Sequence, residues 1–131
     1  MGKEICHVSL ADCQVIQNKW EKDLGIVNVD PTERSQRMKE EWQELEEALA
    51  IFDSDGTLES RRAAGFEAMD VLIIGMSVIE SLGLSAEQLF LDKMEINYEK
   101  YSVREMDKLR ANGADVEEGL CVLKERWNNR A

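Results

Sequence analysis

The 131-residue sequence predicts an all-α fold, a bundle of four to five helices. Three observations predict it. The chain holds one proline and no sustained apolar/polar alternation of the kind a half-buried strand needs. Apolar residues recur three and four positions apart, and the periodic stretches are separated by residues that start and stop helices. The length suits one domain, taken as residues 1–131, with no internal repeat, low-complexity tract or linker dividing it.

Ser9 is placed to cap a first helix from about Leu10 to Leu24, with Val15, Ile16, Trp20 and Leu24 on or near one face and Gly25 closing it. Asp30-Pro31-Thr32-Glu33 combines an N-cap, a proline in the first turn and an acid at the third helical position. It opens a second helix reaching about Phe52, whose core stripe reads Met38, Trp42, Leu45, Leu49 and Phe52. Asp53-Ser54-Asp55-Gly56 reads as a turn. A third helix follows from about Leu58 to Leu82, ended by Gly83. With Phe66, Met69, Leu72, Ile73, Met76 and Ile79 it is apolar on nearly every side, which predicts burial. Ser85-x-x-Gln88 starts a fourth helix to about Leu109, and Asn112-Gly113 breaks it. A last helix from about Val116 to Trp127 carries Leu120, Leu123 and Trp127 on one stripe.

The formal net charge of −11 argues against a nucleic-acid polymer or an anionic membrane as a direct electrostatic partner. No segment approaches the roughly 20 apolar residues of a membrane span, and no basic-then-apolar leader opens the chain. Cys6, Cys13 and Cys121 are an odd, scattered set without a C-x-x-C pair, so neither a disulfide framework nor a zinc site is expected. A reducing cytoplasm is the expected compartment.

Against this background two acidic pairs stand out, Glu41-x-x-Glu44 and Glu67-x-x-Asp70. Residues three apart share a helix face, so each pair can aim two carboxylates at one point, and two such helices packed together bring four around a small volume. Glu41 and Glu44 border the apolar stripe of the second helix, and Asp70 is the only charge between Ala68 and Ile79. Clustered carboxylates are costly to keep ionised without compensation. A set made only of oxygen ligands suits Mg²⁺, with Mn²⁺ as a substitute. The structural alternative is a set of buried ion pairs with Arg61, Arg62 or Lys93.

The run Glu40-Glu41-Trp42-Gln43-Glu44-Leu45, then 22 residues, then Glu67-Ala68-Met69-Asp70-Val71-Leu72, resembles the E-E-x-x-E … E-x-x-D signature of the all-α nucleoside triphosphate pyrophosphohydrolases. That superfamily includes the MazG proteins, the dimeric dUTPases and phosphoribosyl-ATP pyrophosphohydrolase. The resemblance extends through Gly83-Leu84-Ser85, Leu89-Phe90 and Lys93-x-x-x-Asn97-x-x-Lys100, covering about Val15 to Tyr101. It implies hydrolysis between the α and β phosphates of a nucleotide to a monophosphate and pyrophosphate, with Glu41, Glu44, Glu67 and Asp70 holding Mg²⁺. Two such ions can activate water and neutralise phosphate charge. Glu40 and Glu41 are the catalytic candidates: relatives with a doubled glutamate use the extra one on a further ion or as the base for the attacking water, which the resemblance implies for Glu40, a surface acid being the alternative.

Lys93, Asn97 and Lys100 fall on one stripe of the fourth helix, and the resemblance gives them the pyrophosphate and a sugar or base edge. Tyr101 and Tyr98 can stack or fill a core. Asn18 and Trp20 lie where relatives contact the nucleobase, and an indole suits stacking. His7 is the only histidine, which leaves a histidine-based hydrolase without support. The expected function is therefore a Mg²⁺-dependent pyrophosphohydrolase acting on a deoxynucleoside triphosphate, in nucleotide-pool house-cleaning. A non-enzymatic helical interaction protein and a phosphoribosyl-ATP pyrophosphohydrolase are the alternatives. The third helix has more apolar surface than one short chain can cover, which predicts a homodimer or tetramer with Met76 and Ile79 among its contacts.

Overall fold

Side-chain caps set where the helices begin. In the computed structural model, which describes residues 7–130, the Ser9 hydroxyl accepts from the Asp12 N–H while the Asp12 carboxylate accepts from the Ser9 N–H, both at 3.0 Å. Such a reciprocal cap satisfies two donors that a helix start otherwise leaves unpaired. Asp30, Thr57, Ser102 and Asp115 cap later helices through single side-chain acceptors. Among the described residues there are α1 (Leu10–Asp23), α2 (Pro31–Asp55), α3 (Leu58–Ser81), α4 (Ala86–Lys100), α5 (Val103–Ala111) and α6 (Val116–Asn128), and no strand. The all-α expectation holds. Cys6 lies outside the described residues, Cys13 is half-buried and Cys121 is exposed, both as free thiols.

Two boundaries differ from the sequence reading. The turn expected over Asp53-Ser54-Asp55 is helical, so α2 runs on to Asp55 and only Gly56 and Thr57 connect it to α3. Gly56 makes this possible with φ of 61°, a conformation that costs glycine little. The fourth helix expected to reach Leu109 is two, because the Ser102 hydroxyl caps the Glu105 N–H at 3.4 Å and starts α5 anew.

The chain falls into two units, dividing between Glu87 and Gln88. In the first, α2 and α3 form an antiparallel hairpin whose register is legible in its rungs. Arg34 meets Ser77, Met38 lies against Gly75, Glu41 meets Asp70 and Glu44 meets Glu67. Helix α1 packs on α3 with its polar side inward: Gln14, Gln17 and Glu21 are buried, while Val15, Ile16, Trp20 and Leu24 are exposed. This inverts the expected face. Gln14 explains the inversion, since its amide donates to Glu80 Oε2 (2.6 Å) and the Leu84 carbonyl (2.8 Å) and accepts from the Ala86 N–H (2.7 Å). Three hydrogen bonds to the end of α3 and the start of α4 satisfy the whole amide in a buried setting, where an unmet one is costly.

The all-round burial expected of α3 is also corrected. Ala64 and Ile74 are buried, but Phe66, Met69 and Leu72 are about half exposed or more, as are Trp42 and Leu49 of the expected α2 core stripe. In the second unit α5 packs on α6, with Gly119 beneath Met106 and Leu123 buried, as the stripe on the last helix predicts. Tyr98, for which a core position was one option, is exposed.

Candidate functional site

The hairpin register turns two sequence-local pairs into one cluster. Glu41 and Glu44 are one turn apart on α2, and Glu67 and Asp70 are one turn apart on α3 running the other way. Carboxylate oxygens of Glu41, Glu67 and Asp70 lie within 4.8 Å of one another. Glu44 lies outside this set of three, near enough for its charge to act on both Glu41 and Glu67. Burial, then the charges of Glu44 and Asp70, push the Glu41 and Glu67 carboxyls above their usual range. Arg37 opposes this only at Glu41, from 3.9 Å.

Ion pairing does not account for the cluster. Among the described residues no lysine or arginine is paired with Glu67 or Asp70, and Arg62 lies over the Phe66 ring at 5.0 Å instead. Glu67 Oε2 is buried with no hydrogen-bond partner. A buried acceptor without a donor is costly and calls for a cation or a proton. Three converging carboxylates with no nitrogen or sulfur ligand suit a hard divalent ion such as Mg²⁺ or Mn²⁺, and Glu44, expected as a fourth ligand, is exposed beside them.

A cleft of about 280 Å³ opens beside the cluster. Glu41 and Asp70 line it together with Trp20, Leu24, Ile26, Arg34 and Arg37. Within its wall Arg34 donates to Glu21 Oε1 at 2.6 Å and to Ser77 Oγ at 3.0 Å, and Gln17 donates to Glu21 at 3.0 Å. Burial opposes the Glu21 charge, but hydrogen bonds from Ser77, Arg34 and Gln17, with the guanidinium charge, hold its carboxyl below the usual range. The Glu21 carboxylate is thus met by donors, while Gln17 Oε1 beside it is buried without a partner.

The remaining candidates separate. Trp20 shares the cleft with the acids, whereas Asn18 lines a different cleft of about 430 Å³ with Lys22, Asn28 and Glu80. The two positions are about 200° apart around α1, so they face different spaces. Glu40 is exposed on α2 outside the three-carboxylate cluster. Lys93, Asn97 and Lys100 do lie on one helix, α4, in the second unit, with Tyr101 just beyond its end and the Lys100 ammonium 5.1 Å from the Tyr101 ring centroid. Arg34 and Arg37 were missed by the sequence reading. The available signal was Arg37 four residues before Glu41, at the spacing of helical ion pairs.

Comparison of the chain with family models, curated proteins and solved structures returned no match.

Proposed function

We propose that the chain is a Mg²⁺-dependent nucleotide pyrophosphohydrolase that cleaves a (deoxy)nucleoside triphosphate between its α and β phosphates, releasing a monophosphate and pyrophosphate. The observation that carries this reading is the convergence of Glu41, Glu67 and Asp70, with an unpartnered Glu67 oxygen, beside a cleft that Glu41 and Asp70 help to line and that is large enough to take part of a nucleotide. Mg²⁺ bound there lowers the pKa of a coordinated water and neutralises phosphate charge. The chain's own part is to hold the ligands in register: the α2–α3 pairing fixes the spacing of the carboxylates. Glu41, at this cluster, and Glu40, on the same helix, remain the candidates for serving the attacking water. House-cleaning of unwanted deoxynucleotides is the biological role we favour.

The test is a panel of nucleoside and deoxynucleoside triphosphates followed by phosphorus NMR. Pyrophosphate is the expected first product, and orthophosphate as the primary product excludes the proposed bond. Phosphoribosyl-ATP belongs in the same panel.

A non-catalytic interaction role draws support from one observation, the exposed apolar side chains Trp42, Phe66, Met69 and Leu72 on the hairpin. The reading proposed here assigns that surface to a second copy of the chain, in a homodimer or tetramer. Sedimentation should then show a species of at least twice the chain mass at micromolar concentration, and Leu72→Glu should shift it toward monomer. Inactivity with every nucleotide, with and without Mn²⁺, would favour the interaction role over the enzyme.

A further inference from the structure

Two arginines line the cleft beside the acids, and only one is spent. Arg34 is nearly enclosed, with its side chain 12% exposed and its donors engaged by Glu21 and Ser77. Arg37, one turn along α2, has its side chain 57% exposed and makes a single loose ion pair, 3.9 Å from Glu41 Oε1. Its guanidinium carries five N–H donors in a fork that matches phosphate oxygens. Among the described residues it is also the one cation paired with any of Glu41, Glu44, Glu67 and Asp70. Trp20, Leu24 and Ile26 line the same cleft and give it an apolar, aromatic part suited to a flat ring.

From this placement we infer that Arg37 positions the phosphate chain of the substrate, leaving Glu41 to do so. The inference rests on the metal-dependent reading above and adds a positioning residue in the first unit, separate from Lys93 and Lys100. A phosphate held at the acids by a divalent ion lies within a side-chain swing of Arg37, because the guanidinium already reaches a ligand carboxylate. Exchanging a 3.9 Å contact with Glu41 for two parallel N–H···O bonds to phosphate strengthens the arginine's pairing and frees the carboxylate for the ion.

Calorimetry on the full chain separates this inference from the reading beneath it, using Mn²⁺ alone and then imidodiphosphate in the presence of Mn²⁺. Arg37→Ala should leave Mn²⁺ affinity unchanged or slightly increased, since a nearby positive charge is removed. Imidodiphosphate affinity should fall roughly 10- to 100-fold, the usual worth of a charge-assisted pair, and Arg37→Lys should recover part of it. The exposed side chain and long ion pair predict an unfolding temperature close to wild type. Equal imidodiphosphate affinity in wild type and Arg37→Ala overturns the role of Arg37 while the metal site stands. Wild-type protein that takes up no Mn²⁺ overturns both.

Discussion

Along one helical hairpin the chain builds two charged groups of opposite character. At the Arg34–Ser77 rung, Glu21 is buried and fully answered by a guanidinium, an amide and a hydroxyl. Seven residues further along α2 and seven back along α3, the Glu41–Asp70 rung gathers carboxylates with one distant cation and an orphaned oxygen. Both rungs sit between the same helices, about 10 Å apart along them. Their carboxyls are pushed in opposite directions, Glu21 down by its donors and Glu41 and Glu67 up by burial and like charge. The difference teaches that burial alone does not set the charge state of an acid in this fold; the donors that meet it do.

The largest effect is expected where the answered group is broken. Arg34→Ala leaves Glu21 buried without its charge partner, and loss of one member of a buried pair typically costs about 3–5 kcal/mol. Urea unfolding should show that loss, and a cost below about 1 kcal/mol would mean that water reaches Glu21 freely. At the open group the expectation reverses. Glu44→Gln or Asp70→Asn should weaken Mg²⁺ binding at least about 100-fold, since even outer partners of a metal site contribute 10- to 100-fold. In chelator the same changes should leave the fold intact or raise its melting temperature by relieving repulsion. Unfolding of these variants would make the cluster a structural one.

A smaller effect tests the comparison through pH. Glu21 has a folded pKa below its unfolded value of about 4.5, so its stabilising contribution is present above that value and is lost as pH falls through the folded pKa. Glu41 and Glu67 have folded values above about 4.5, so their relative stabilisation is present below it and is lost as pH rises through the folded pKa. Metal-free protein should therefore lose stability in both directions away from mildly acidic pH. Glu67→Gln should flatten the higher-pH decline and leave the acid limb alone, and an unchanged upper limb would show that burial and like charge do not raise the Glu67 carboxyl. The smallest effect is expected at Lys19–Asp23, an exposed pair on α1 at 2.7 Å. Lys19→Ala should change stability by less than about 0.5 kcal/mol.

The acids were legible because three-residue spacing is local: Glu41 with Glu44 and Glu67 with Asp70 needed only helix geometry, and one tertiary pairing brought them together. Helix starts at Ser9 and Asp30 were legible for the same reason. Ser102 was not, since a lone serine between Tyr101 and Val103 carries no periodic signal and its cap depends on where the preceding helix stops. The orientation of α1 was illegible in a different way. Its apolar stripe, Val15, Ile16, Trp20 and Leu24, argued for the inward face, and only the distant partners Glu80, Leu84 and Ser77 made Gln14 and Glu21 the better residues to bury. Arg37 was passed over because an arginine one turn before a glutamate usually serves the helix surface alone.

The inverted seating of α1 sets how that helix comes away. Its inner face is glutamine and glutamate, held by hydrogen bonds, so detaching it wets mainly polar atoms. Polar hydration lowers heat capacity where apolar hydration raises it. Opening of α1 should thus carry a small heat-capacity change and a shallow denaturant slope, appearing in hydrogen exchange as an early, nearly denaturant-independent step before the α2–α3 hairpin yields. Because Trp20 rides on this helix, one wall of the cleft leaves and returns with it.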